Sequence, residues 1–167
     1  MKYLIALCMI LHVSMAAACG EIRPSASVTR LVTQLAYRDF PTSADIFAHI
    51  RVESSFNPHA INRSSRQSSV GLMQVQDGSM DERANITSGV ALLRKYYKIT
   101  HSKEGASKAY NIGITAYMHG RHKQSAERYY RKIKLWRKVY EHYPEVLGNY
   151  NCYRHAVSAR RIRSRLF

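Results

Sequence analysis

Thr42-Ser43-Ala44-Asp45-Ile46-Phe47-Ala48-His49-Ile50-Arg51-Val52-Glu53-Ser54-Ser55-Phe56-Asn57-Pro58 is the stretch from which the fold is read. Ile46, Phe47 and Ile50 recur at helical spacing, Ser43 can cap the first turn, and Asn57-Pro58 cannot continue a helix. The pattern predicts a helix from about Ala44 to Ser54, mostly apolar, with an acid at its far end. That acid, Glu53, stands where the helix dipole disfavours negative charge, and a polar loop follows it directly. A carboxyl group partly buried there has a raised pKa and can stay protonated at neutrality to donate a proton.

On either side of this helix the same period continues. Val28, Leu31, Val32 and Leu35 share a face of a preceding helix that should end near Arg38 to Phe40, before Pro41. Residues from His59 to Ser69 are rich in Ser, Asn and Arg and read as a loop held by its neighbours, after which Gly71 to Val75 turns apolar. A third helix is signalled from Asn85 by Ile86, Val90, Leu93 and Tyr97, and a fourth from Gly105 to Met118, closed by Gly120. The fifth runs from about Ser125 to His142, with Tyr129, Ile133, Trp136 and Tyr140 on one face and basic residues over the others. No run alternates apolar and polar residues over strand length, so the expected class is all-α.

With 167 residues the chain has room for one compact domain, and 46% hydrophobic residues are enough to build its core. Twenty-six Lys and Arg against 11 Asp and Glu give a net charge of +15, which implies an anionic partner: nucleic acid, a membrane surface or an acidic wall polymer. Lys2, the apolar run from Tyr3 to Val13 and the small residues Ala16 to Ala18 read as a secretory signal peptide over residues 1–18. A lipoprotein signal at Cys19 and an uncleaved anchor are the two alternatives. The expected organisation is then a domain over residues 19–150 and a basic tail over residues 151–167. That tail carries Arg154, Arg160, Arg161, Arg163 and Arg165, and is either a solvated end or a tether to an anionic membrane or wall surface.

Export places the chain in the periplasm or cell envelope, where Cys19 and Cys152 are expected to pair as a disulfide, with two free thiols as the other outcome. It also argues against a nucleic-acid partner. No metal site or cofactor is expected: His119 and His122 flank Gly120 without a neighbouring acid of the zinc-peptidase pattern, and no phosphate loop or nucleophile motif is present. Tyr129 and its helical companions are more simply core than nucleic-acid contacts. Most of the other acids sit at helix ends, in loops or beside basic residues, the usual places for capping and solubility.

Three blocks in order, Glu53-Ser54-Ser55-Phe56-Asn57-Pro58, Gly71-Leu72-Met73-Gln74 and Ala109-Tyr110-Asn111-Ile112-Gly113, resemble the lytic transglycosylases of the lysozyme-like superfamily. Asn85-Ile86 and Gly89 fit between the last two as a further motif, and the likeness covers roughly residues 25–140. Ala60-Ile61-Asn62 and the Ser-rich stretch before Gly71 look most like small exported muramidases of secretion, conjugation and pilus machines and of phages. Gln76, Asp77 and Ile112 depart from the usual pattern.

The resemblance implies a lysozyme-like helical domain with a catalytic cleft, and peptidoglycan glycan strands as the partner. It implies Glu53 as the catalytic acid and base, which cleaves between N-acetylmuramic acid and N-acetylglucosamine and leaves a 1,6-anhydro end. A hydrolase that delivers water to the same bond, and a non-catalytic assembly protein on a secretion, conjugation or phage machine, are the alternatives. By the same resemblance Gln74 and Tyr110 line the cleft, Asn111 supports that wall, Asn62 lies near the reacting sugar, and Ser54 holds geometry beside the acid. Asn62 and Gln74 have a plainer role open to them as loop braces, Tyr110 as core, and Asn85 is expected to cap or brace a loop.

Overall fold

The computed structural model describes residues 24–63 and 68–142. The expected signal segment, the Cys19–Cys152 bridge and the basic tail lie outside the described residues. Helix α1 spans Ala26–Leu35, α2 Ser43–Ser54, α3 Glu82–Thr100, α4 Lys103–Ile112, α5 Ile114–Met118 and α6 Lys123–His142. Three short strands, β1 (Ile61–Arg63), β2 (Ser68–Val70) and β3 (Val75–Gln76), lie between α2 and α3. Among the described residues no helix is long and apolar enough to cross a membrane.

α2 is the core helix, because six consecutive residues from Asp45 to Ile50 are buried and α1 and α6 pack on it. Its N-terminus is a capping box built on Thr42, not on the expected Ser43. The Asp45 amide donates to Thr42 Oγ1 (3.3 Å) and the Thr42 amide donates to Asp45 Oδ2 (3.0 Å), so each partner satisfies an orphan donor of the other. Thr42 wins over Ser43 because the acid that completes the box stands three residues after it. Ser55, in the left-handed region with φ 53°, ends the helix directly after Ser54.

The remaining helices close around this axis. α3 buries Ile86, Val90 and Leu93 as the periodicity predicts, and Asp81 caps it by accepting from the Ala84 amide at 2.8 Å. It begins three residues earlier than the apolar pattern, since Asp81 supplies the cap that the pattern alone does not reveal. α6 crosses α2 with Ala126, Tyr129, Ile133, Val139 and Tyr140 buried, and Phe47 meets Tyr140 edge to face at 5.9 Å between centroids. The expected fourth helix is two: Gly113, at φ 83°, ends α4 and α5 restarts after it.

Within the stretch from His59 to Ser69, expected as a loop, Ile61–Arg63 and the start of Ser68–Val70 belong to an antiparallel sheet ordered β1-β2-β3. Ile61 pairs with Val70, Asn62 with Ser69, Ser69 with Gln76 and Val70 with Val75. Strands of two or three residues with polar sequences show no alternation to read, and their backbone is held by side chains from elsewhere in the chain.

Candidate active site

The Gly71-Leu72-Met73-Gln74 turn joins β2 to β3, and Asn85 holds it. Fully buried in the first turn of α3, Asn85 accepts from the Met73 amide (2.8 Å) and donates to the carbonyls of Val70 (2.8 Å) and Ser79 (2.9 Å). The turn sits so close that a Cβ on Gly71, itself at φ 76°, would lie 2.5 Å from the Asn85 amide. One helical turn further, a Cβ on Gly89 would lie 2.5 Å from Met73 Sδ. These two contacts explain why glycines stand at both positions and dock the turn rigidly on α3. Asn85 is therefore a brace, as expected.

The docked turn sets the next two side chains. Gln74, at φ 49°, donates from Nε2 to the carbonyls of Ala60 and Gly71, both at 2.9 Å, and so ties β1 to the turn. Tyr110, from α4, donates its hydroxyl to the Met73 carbonyl at 2.7 Å and joins the helical side of the site to the sheet side. Between these walls runs a cleft of about 550 Å³. Glu53, Asn62, Gln74, Tyr110 and Asn111 all line it, so five of the six residues implied by the motifs converge on one space.

Ser54 is the sixth, and it is not among the residues lining the cleft. Its hydroxyl donates instead to the Ile50 carbonyl (3.1 Å) in its own helix, where it supports the backbone next to the acid. Other lining residues went unnoticed in the sequence. Ser69, Val75, Ser88, Leu92 and Tyr96 also line the walls beside Gln76, Ile112 and Gly113, and the strand residues among them come into reach only because the polar stretch supplies strands.

Glu53 is half-buried in the last turn of α2. Tyr129 from α6 donates its hydroxyl to Glu53 Oε1 at 2.5 Å. Burial raises the carboxyl pKa to about 7, and the Tyr129 hydrogen bond opposes that rise in part. Burial, and then the nearby carboxyl, push both Tyr110 and Tyr129 well above the usual phenol range, so both stay hydroxyl donors. Tyr129 was expected as core from its spacing. It is core, and it is also the hydrogen-bond partner of the acid, a role that only the crossing of α6 over α2 reveals.

Below this pair lies His49, one turn before Glu53 on α2 and fully buried. Its Nδ1 lies 2.8 Å from the Asp45 carbonyl, an acceptor, so Nδ1 carries the proton. Burial lowers the imidazole pKa and keeps the ring neutral, so no cation sits beneath Glu53 to hold it ionised. The ring packs edge-on against Tyr110, with centroids 5.5 Å apart, and against Tyr129 at 6.2 Å. Among the described residues, no group of three His, Cys, Asp or Glu side chains is placed to hold a metal ion.

A mostly helical domain that presents one half-buried carboxyl from a core helix beside a small antiparallel sheet has the lysozyme-like fold. Residues 34–134 match the family described as Transglycosylase SLT domain, well over half of the chain, and the chain belongs to that family. Among solved structures, the 70 kDa soluble lytic transglycosylase from Escherichia coli matches with a TM-score of 0.56 at 17% identity, a likeness of fold. The match covers 71% of this chain and 25% of that one, so the chain corresponds to about a quarter of the larger protein. No curated protein sequence matches the chain.

Proposed function

We propose that this chain is a lytic transglycosylase that cleaves the β-1,4 bond between N-acetylmuramic acid and N-acetylglucosamine in peptidoglycan. The observation that carries the reading is the state of Glu53, a cleft carboxyl raised to about 7 by burial with one oxygen engaged by Tyr129. Its second oxygen is the one to hold the transferable proton. Membership of the transglycosylase family supports the substrate class.

Protonated Glu53 delivers its proton to the glycosidic oxygen, and the anomeric carbon–oxygen bond breaks. Among the described residues lining the cleft there is no second carboxylate, so that lining offers no partner acid to stabilise the cationic anomeric carbon. The acetamido group of the muramic residue takes that role. The Glu53 carboxylate then removes the proton from the 6-hydroxyl of the same sugar, whose oxygen bonds to the anomeric carbon. This closes the 1,6-anhydro ring, restores the protonated acid and consumes no water. An intramolecular nucleophile has a high effective concentration, which favours it over solvent.

The leader-like residues 1–18 support export and action in the cell envelope, where a small enzyme of this kind opens the wall locally for a secretion, conjugation or phage machine. The basic tail supports retention on an anionic membrane or wall surface there. Mass spectrometry of fragments released from purified peptidoglycan tests the chemistry. Fragments with 1,6-anhydromuramic ends are expected. Reducing ends, heavier by one water, would make the chain a hydrolase instead.

A further inference from the structure

A second and larger cavity, about 850 Å³, lies between α4, α5 and the first turns of α6. Ile112 is a wall of both this cavity and the catalytic cleft, so the two adjoin at that residue. Their chemistry differs sharply. The described lining of the cleft holds neither Lys nor Arg, whereas Lys108, Arg121, Lys123, Arg128 and Arg131 all border the second cavity.

The cavity's own acid does not neutralise that set. Glu127 is taken up by Lys108 at 2.6 Å and Arg131 at 3.5 Å. Among the described residues Arg121, Lys123 and Arg128 form no ion pair, although each is exposed and borders the same space. Three uncompensated cations around a cavity this size fit a ligand that carries more than one anionic group.

Resting on the reading of the cleft as a glycan-strand site, we propose that this cavity binds the carboxylates of the peptide stems carried by the strand. A peptidoglycan strand divides in the same way as the two cavities: a neutral sugar backbone, and stem peptides ending in carboxylates. The cleft, whose described lining carries no cation, takes the sugars, and the cationic cavity beyond Ile112 takes a stem. Contacts of this kind give preference for peptide-bearing strands and are weakened by salt.

The test measures binding to two soluble ligands, uncrosslinked strands with their peptides and the same strands stripped by an amidase. The chain carries Glu53→Gln so that neither ligand is cut, and is compared with the same chain also carrying Arg121→Ser, Lys123→Ser and Arg128→Ser. The three substitutions are expected to weaken binding to peptide-bearing strands by about fivefold to tenfold and to leave stripped strands unchanged. They should also leave the rate of cleavage of stripped strands unchanged in a chain that keeps Glu53, which shows that the cleft is intact. Equal loss on both ligands, or no loss on either, would overturn the proposal. So would a larger loss on phosphatidylglycerol vesicles than on peptide-bearing strands, which would make the cavity a lipid site. Binding to stripped strands with no preference for peptides removes only this inference, whereas binding to neither removes the reading of the cleft as well.

Discussion

The hydroxyl of Tyr129 lies 2.5 Å from Glu53 Oε1 and joins two helices whose partners stand 76 residues apart in sequence. The bond does two things at once. It fixes the orientation of the carboxyl, and it pulls down a pKa that burial drives up. The acid settles at about 7, high enough to hold a proton near neutrality and low enough to release it to a leaving group.

Cleavage requires the protonated form of Glu53, so the rate should hold below about pH 7 and fall with the loss of one proton above it. Tyr129→Phe removes the bond that lowers the pKa, and the alkaline limb should move to higher pH by on the order of one unit. The pH–rate profiles of the two proteins check this. A limb that stays in place in the variant would show that the phenol does not tune the acid.

Burial of Glu53 also bears on stability, with a definite sign. Its folded pKa lies above the unfolded value, so the folded state holds a proton that the unfolded state has lost between about pH 4.5 and 7. Stability contributed by this group is fully present below pH 4.5 and declines as pH rises to about 7. Glu53→Gln keeps an acceptor for Tyr129 and removes the titration, and should stabilise the protein at pH 8 relative to pH 4.5 by about 3 kcal/mol. Denaturant unfolding of both proteins at the two pH values measures the difference.

Asn85→Ala deletes one acceptor and two donor contacts at a fully buried site and leaves the Met73 amide and the Val70 carbonyl without their partner. A loss of about 2 to 4 kcal/mol is expected by denaturant unfolding, together with reduced activity because the turn that carries Gln74 is no longer docked.

Gly71→Ala should destabilise for a different reason. The added methyl group meets the Asn85 amide and must also adopt a positive φ, with an expected loss of about 1 to 3 kcal/mol. Gly113→Ala, where nothing lies within 4 Å of the new Cβ, carries only the backbone strain and should lose less. Equal losses in the two variants would refute the close-contact account.

The helices were legible where burial on one face imposes a period. Val28, Leu31 and Val32 in α1 and Ile86, Val90 and Leu93 in α3 are buried as their spacing predicts. Glu53 stood out because an acid at the C-terminal end of an apolar helix is locally unfavourable and needs a reason. The sheet was not legible, since Ile61–Arg63 and Ser68–Val70 are exposed or half-buried and show no alternation of burial. Its order comes from side chains distant in sequence, Asn85 to Val70 and Gln74 to Ala60, which bind backbone without any periodic signature. Tyr129 was hidden for a related reason: one buried aromatic at core spacing looks like any other until the helix crossing points its hydroxyl at the acid.

The most direct test is the release of soluble fragments from purified peptidoglycan by the chain and by its Glu53→Gln variant, both checked for fold by circular dichroism. Fragments from the first and none from the second, a fall of at least about a thousandfold, are predicted for an acid on which every proton transfer depends. Cleavage by Glu53→Gln at a rate near that of the unaltered chain would contradict the account.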